Sequence, residues 1–223
     1  MAHRTVCTLA LLVAGLLVTA TSTRAASLQV ELRSGGQPVA EAVLLLTPLD
    51  RVATVWPIDA VMDQIGSEFT PRLLVVPQGS RVSFPNSDLI RHQVYSFSPA
   101  KRFELPLYTG TPPNPVVFDR AGVVMLGCNI HDWMRGTIVV VATPYHALSG
   151  NDGRAVLDAP AGRYRLEVWH ERLPSDAAAP QVEVVLPEAD DLRLELPLAP
   201  PPPPRGSERL RVLQERFRAV PGG

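Results

Sequence analysis

Cys128-Asn129-Ile130-His131-Asp132-Trp133-Met134 is the stretch on which the reading of this 223-residue chain turns. It is a C-x2-H-x2-M triplet set between two apolar runs, Val123-Val124-Met125-Leu126-Gly127 before it and Thr137-Ile138-Val139-Val140-Val141 after it. Short runs rich in β-branched residues predict buried strands. Cys128, His131 and Met134 therefore fall on one tight connection between two strands.

Upstream, Pro71 precedes a strand at Leu73-Leu74-Val75-Val76, Pro77-Gln78-Gly79-Ser80 forms a turn, and Arg81-Val82-Ser83-Phe84 resumes extended structure. Pro85-Asn86-Ser87-Asp88 turns again and leads into Arg91-His92-Gln93-Val94-Tyr95-Ser96-Phe97. A single histidine on such a strand is ordinarily solvated. His92 stands out because F-x-N-x-D precedes it, H-x-V-x-x-F contains it, and the Cys/His/Met loop follows. Together, His92, Cys128, His131 and Met134 offer two imidazoles, a thiolate and a thioether. Soft sulfur donors beside imidazole select copper, whereas zinc sites draw on thiolate, imidazole or carboxylate.

These motifs resemble those of cupredoxins, in particular cupredoxin-domain proteins of the methylamine-utilisation and plastocyanin-like type, over roughly 58–145. The short C-x2-H-x2-M loop is similar to that of amicyanins. The resemblance implies an all-β cupredoxin Greek-key sandwich holding one type 1 copper, with His92, Cys128 and His131 as equatorial ligands and Met134 as the axial one. It also implies a one-electron carrier rather than an enzyme. Many members carry asparagine after the first histidine ligand, where it braces the ligand loop; here that residue is Gln93.

Cysteine usage agrees with an occupied thiol. Cys7 lies in a segment that reads as a secretory signal: basic His3 and Arg4, an apolar run over 6–20, and Thr23-Arg24-Ala25 at a cleavage point. Cleavage after Ala25 delivers the chain to the periplasm or outside the cell, with Cys128 as its one cysteine. A free thiol in an oxidising compartment is a liability unless something occupies it. No later stretch is long and apolar enough to span a bilayer as a helix. With 21 basic and 22 acidic residues scattered along the strands, no basic stripe points to nucleic acid.

The flanks also read as β-structure. Leu28, Val30 and Leu32 alternate with polar residues, and Ser34-Gly35-Gly36-Gln37-Pro38 turns into Ala42-Val43-Leu44-Leu45-Leu46 as a hairpin. Beyond Tyr145, N-D-G-R-A-x-L-x-x-P-A-G-x-Y-x-L-x-V runs from Asn151 to Val168 and places Tyr164, Leu166 and Val168 on one face. Strands at Val182-Glu183-Val184 and Leu192-Arg193-Leu194-Glu195-Leu196 follow. This pattern resembles the second half of carboxypeptidase-regulatory-like β-sandwiches, and the first flank is similar to the first half. The expected architecture is a copper sandwich inserted into a second, discontinuous sandwich of 27–50 plus 146–198. Its shared core would set Leu28, Val30, Leu32, Val43 and Leu45 against Tyr164, Leu166, Val168, Val184 and Leu194. A proline-rich linker over 197–206 and a short amphipathic helix or tail over 207–220 complete the expectation.

Two functional classes follow. One is an exported electron carrier whose redox partner protein docks beside His131 and Trp133. The other is a non-redox copper carrier or extracellular binding module with a vestigial site. Four fixed ligands favour the first, since a carrier that releases copper rarely needs them. A multicopper oxidase needs further histidines, and only His146 and His170 remain in the body of the chain. His146 is expected on an exposed linker and His170 at a strand end.

Overall fold

The computed structural model describes residues 25–174, 180–189 and 191–201; the signal segment, save its last residue, and the 207–220 helix lie outside the described residues. In chain order the strands are β1 (Ala25–Ser34), β2 (Gln37–Pro38), β3 (Val43–Pro48), β4 (Asp59–Val61), β5 (Asp63–Ile65) and β6 (Glu68–Thr70). Next come β7 (Leu73–Pro77), β8 (Ser80–Ser83), β9 (His92–Ser98), β10 (Lys101–Tyr108), β11 (Val116–Phe118) and β12 (Gly122–Cys128). The last six are β13 (His131–Val141), β14 (His146–Leu148), β15 (Arg154–Pro160), β16 (Gly162–Trp169), β17 (Gln181–Leu186) and β18 (Asp191–Glu195). The described fold is all-β. No helix among the described residues is long and apolar enough to cross a membrane.

The middle of the chain makes an inner sandwich. One sheet has the order β10-β9-β12-β13-β7 and faces a second of order β11-β8-β4, so the chain crosses between sheets several times. The pleat explains which side chains meet, because alternate residues of a strand share a face. Val94, Val124, Leu126, Cys128, Ile138 and Val140 from the larger sheet join Val82, Phe84 and Phe118 in one buried cluster. Fully burying side chains of this size stabilises by about 1.5–3 kcal/mol each. A Cβ at Gly136 would sit 3.0 Å from the side chain of Phe69, which caps this core from β6, so a larger residue there would have to push Phe69 aside.

The two flanks form the outer sandwich together. One sheet has the order β15-β1-β18 with β2 appended to β1, and the other is β14-β3-β16-β17. Leu28 lies opposite Leu157 in an antiparallel ladder, and Leu32 lies opposite Leu194 in a parallel one. Between the sheets, Leu28, Val30, Leu32, Leu44, Leu46, Leu157, Tyr164, Leu166 and Val168 are buried in a core separate from the inner one.

Two expectations for the first flank need correction. The turn after β1 makes a hairpin only with the short β2; β3 lies in the opposite sheet. Glu41, at φ 57, helps carry the chain over the sandwich edge. The inward residues here are Leu44 and Leu46 of β3, with Ala42 just before it, not Val43 and Leu45. Val43 faces the other way, into a third cluster with Val139 and Val141 of β13, flanked by Leu45, Leu73, Val75 and Trp169. Strands β3 and β13 are thus apolar on both faces because each is covered on both. An exposed Arg72–Glu171 ion pair also joins the two units, adding little beside this burial.

Candidate metal centre

The three nitrogen and sulfur donors come from three strand ends of one sheet: His92 opens β9, Cys128 ends β12 and His131 opens β13. Strands β12 and β13 are joined by the two residues Asn129-Ile130, with Cys128 opposite His131. The register then jumps: Gly127 pairs with Arg135, leaving Asp132, Trp133 and Met134 unmatched on β13. A bulge of this kind re-aims side chains. Asp132 and Trp133 turn outward, whereas Met134 is 1% exposed and joins the same buried cluster as Cys128. Met134 and Cys128 also line one groove with Tyr95, Met125 and Arg135.

His92 opens β9, which lies beside β12, and its side chain is fully buried. Its Nδ1 is 3.9 Å from Cys128 Sγ, and His131 Nδ1 is also 3.9 Å from that sulfur. The donor atoms of His92, Cys128 and His131 all lie within 4.8 Å of one another. A metal bonded to sulfur at about 2.3 Å and to nitrogen at about 2.0 Å separates them by roughly 3.7 Å at a trigonal angle. The residues present therefore fit a metal ion. The two imidazole rings are 5.0 Å apart and tilted by 54°.

The surroundings hold the histidines in different ways. His92 Nε2 meets Asp88 Oδ2 at 2.7 Å. Asn86 Nδ2 donates to Ile90 O at 2.9 Å and Tyr108 O at 2.7 Å, closing the loop between Phe84 and His92. Gln93 donates to Glu104 Oε1 at 2.6 Å on the neighbouring strand, so the loop brace is Asn86 instead. Tyr108 lies opposite His92 and donates to Phe84 O at 2.6 Å; burial pushes its phenol up to about 12, against the opposing bond from Gln64. His131 is only partly buried, and its ring meets that of Trp133 at 5.1 Å with a 52° tilt; Trp133 is 51% exposed.

Asp88 is the participant that residue-by-residue reading passed over. Burial alone would raise its carboxyl, but bonds from Ser67 N–H, Gly66 N–H and His92 outweigh this and hold it below the ordinary carboxylate range. The F-x-N-x-D motif contained the signal without revealing the partner. His146 is not on an exposed linker as expected: it opens β14 and is partly buried, with an Nδ1 that has no partner. His170 is buried and accepts a bond from Arg172 N; burial first, then Arg172, lowers its pKa. Neither belongs to the donor cluster found among the described residues.

No family model and no curated protein matches the chain. Solved structures similar to part of it include a purple cupredoxin from Nitrosopumilus maritimus, 25% identical over 37% of this chain and 100% of that chain, TM-score 0.33. The copper-containing nitrite reductase NirK from Thermus scotoductus is 24% identical over 43% of this chain and 25% of that one, TM-score 0.36. An amicyanin in its reduced Cu(I) form is 22% identical over 44% and 98%, TM-score 0.34. By its own strand order the inner unit is a two-sheet β-sandwich, with a histidine–cysteine–histidine donor cluster at the end of its larger sheet.

Proposed function

We propose that this chain is an exported one-electron carrier, not an enzyme, with a single type 1 copper held by His92, Cys128 and His131 and weakly by Met134. The observation that carries the reading is a buried thiol with two imidazole nitrogens, each 3.9 Å from its sulfur, on strands fixed by a packed sandwich. Bound copper supplies a one-electron couple between Cu(I) and Cu(II).

The protein's part is to keep the donors where they are. Cys128 and His131 are tied by a two-residue turn and His92 by the Asn86 loop, so little needs to move when charge changes. Burial of Cys128 and Met134 excludes water from the sulfur side and disfavours added positive charge. On the opposite side, His131 and the half-exposed Trp133 form the surface at which a redox partner protein would dock. Export is read from 1–25, which fits a lone Cys128 protected by metal.

Copper titration of the mature protein tests the assignment. One copper per chain and an intense visible thiolate-to-copper band are expected, with the matching EPR signal; uptake of zinc alone, or a colourless copper complex, sinks it. Replacing Met134 with glutamine is expected to lower the reduction potential while retaining copper, because a harder oxygen donor favours Cu(II). An unchanged potential in that variant would remove Met134 from the ligand set.

A further inference from the structure

The β5–β6 hairpin belongs to neither large sheet of the inner sandwich, and a lone two-stranded hairpin is marginal in water. Its tip is unusual. Gly66 has φ 63 and Ser67, which carries a side chain, has φ 59, so both turn residues are left-handed. Such a turn aims successive N–H groups to one side. Gly66 N donates to Asp88 Oδ1 at 2.7 Å and Ser67 N to Asp88 Oδ2 at 2.8 Å.

The rest of the hairpin is fastened along the same loop. Gln64 N donates to Pro85 O and Ser87 N to Gln64 O, both at 3.1 Å, while Ser87 Oγ donates to Asp63 Oδ2 at 2.7 Å. Asp88 N donates to Asn86 Oδ1 at 3.1 Å. Three of the carboxylate's contacts thus converge from fixed backbone and ring, and the third is His92 Nε2 at 2.7 Å. A carboxylate accepts hydrogen bonds and does not donate, so the proton of a neutral His92 sits on Nε2. Nδ1, facing Cys128, is left with its lone pair free.

We propose that Asp88, clamped by the Gly66-Ser67 turn, is a positioning residue for the metal centre: it fixes the His92 tautomer that can bind metal and sets a negative charge behind that imidazole. The tautomer follows from the metal-free geometry. The effect on potential rests on the copper reading above. A carboxylate bonded to the far nitrogen makes the imidazole a stronger donor, which favours Cu(II) over Cu(I) and lowers the potential.

The decisive measurement is long-range proton–nitrogen NMR of the histidines in metal-free wild-type protein, at a pH where the imidazoles are neutral. His92 is expected with its proton on Nε2, and a proton on Nδ1 overturns the proposal without any variant having to fold. In copper-loaded protein, Asp88→Asn and Asp88→Ala are expected to weaken Cu(II) binding about 10–100-fold, the usual effect of removing such a partner. Cu(I) binding should fall less, raising the potential by about 59 mV for each tenfold change in their ratio. Asp88→Glu, which keeps the charge, should recover part of the shift. Variants that lose thermal stability but keep the wild-type potential and Cu(II) affinity would show that Asp88 only closes a turn. If the wild-type protein takes up no copper while His92 carries its proton on Nε2, the tautomer assignment stands and the electron-carrier reading falls.

Discussion

Cys128→Ser is expected to abolish the intense visible band of the copper-loaded protein. It should also weaken copper binding by more than the roughly 10–100-fold that follows loss of an outer partner. The band requires a thiolate, and a serine hydroxyl near neutral pH is neither ionised nor soft. Cys128 is 3% exposed within the inner core, so the replacement also buries a hydroxyl. That costs about 1–3 kcal/mol if no acceptor is in reach, a loss that leaves most domains folded. Visible spectra, copper stoichiometry and a thermal melt of the metal-free variant separate the two effects. A variant that stays blue would exclude Cys128 as the ligand.

Deleting 27–48 is expected to unfold 154–196 while the inner sandwich still takes up its metal. Strand β1 is the middle strand between β15 and β18, and β3 sits between β14 and β16, so the deletion removes a central strand from both outer sheets. It also removes Leu28, Val30, Leu32, Leu44 and Leu46 from the outer core. At about 1.5–3 kcal/mol each, these five are together comparable to the whole of the roughly 5–15 kcal/mol by which a domain is stable. The deletion further bares Val139 and Val141, which Val43 covers, so the shortened protein should be less soluble. Limited proteolysis that leaves 154–196 protected, or a parallel loss of copper uptake, would contradict the expectation.

How far the sequence spoke for the structure depends on whether the needed information was local. The alternation of Leu28, Val30 and Leu32, and of Tyr164, Leu166 and Val168, identified inward faces correctly because those strands have one wet face. The run Val43-Leu44-Leu45-Leu46 gave no such phase. With one side on the outer core and the other on β13, its pattern is apolar throughout and either register reads equally well. The supposed hairpin failed for a related reason, since an arch across a sandwich and a hairpin use similar turn residues. Within the site, the spacing of Cys128, His131 and Met134 was legible because one short hairpin carries all three. Asp88 was not, because its clamps at Gly66 and Ser67 are 22 and 21 residues away and reveal themselves only as backbone conformation.

The parallel pairing of β1 with β18 sets Gln29 against Asp191, near opposite ends of the described chain. During synthesis the first strand of the outer sandwich is therefore made long before its last, and the whole inner sandwich is made in between. Closing so long a loop from an unfolded chain is entropically slow, and contacts this distant in sequence delay folding. The inner unit, once folded, shortens the loop by bringing β3 and β14 together, with Leu45 opposite His146. Assembly thus has a built-in order in which the inserted unit acts as a template for the one that encloses it. Until β18 arrives, β1 has a bare edge, the kind of surface that holding chaperones cover and that wrong strands seek.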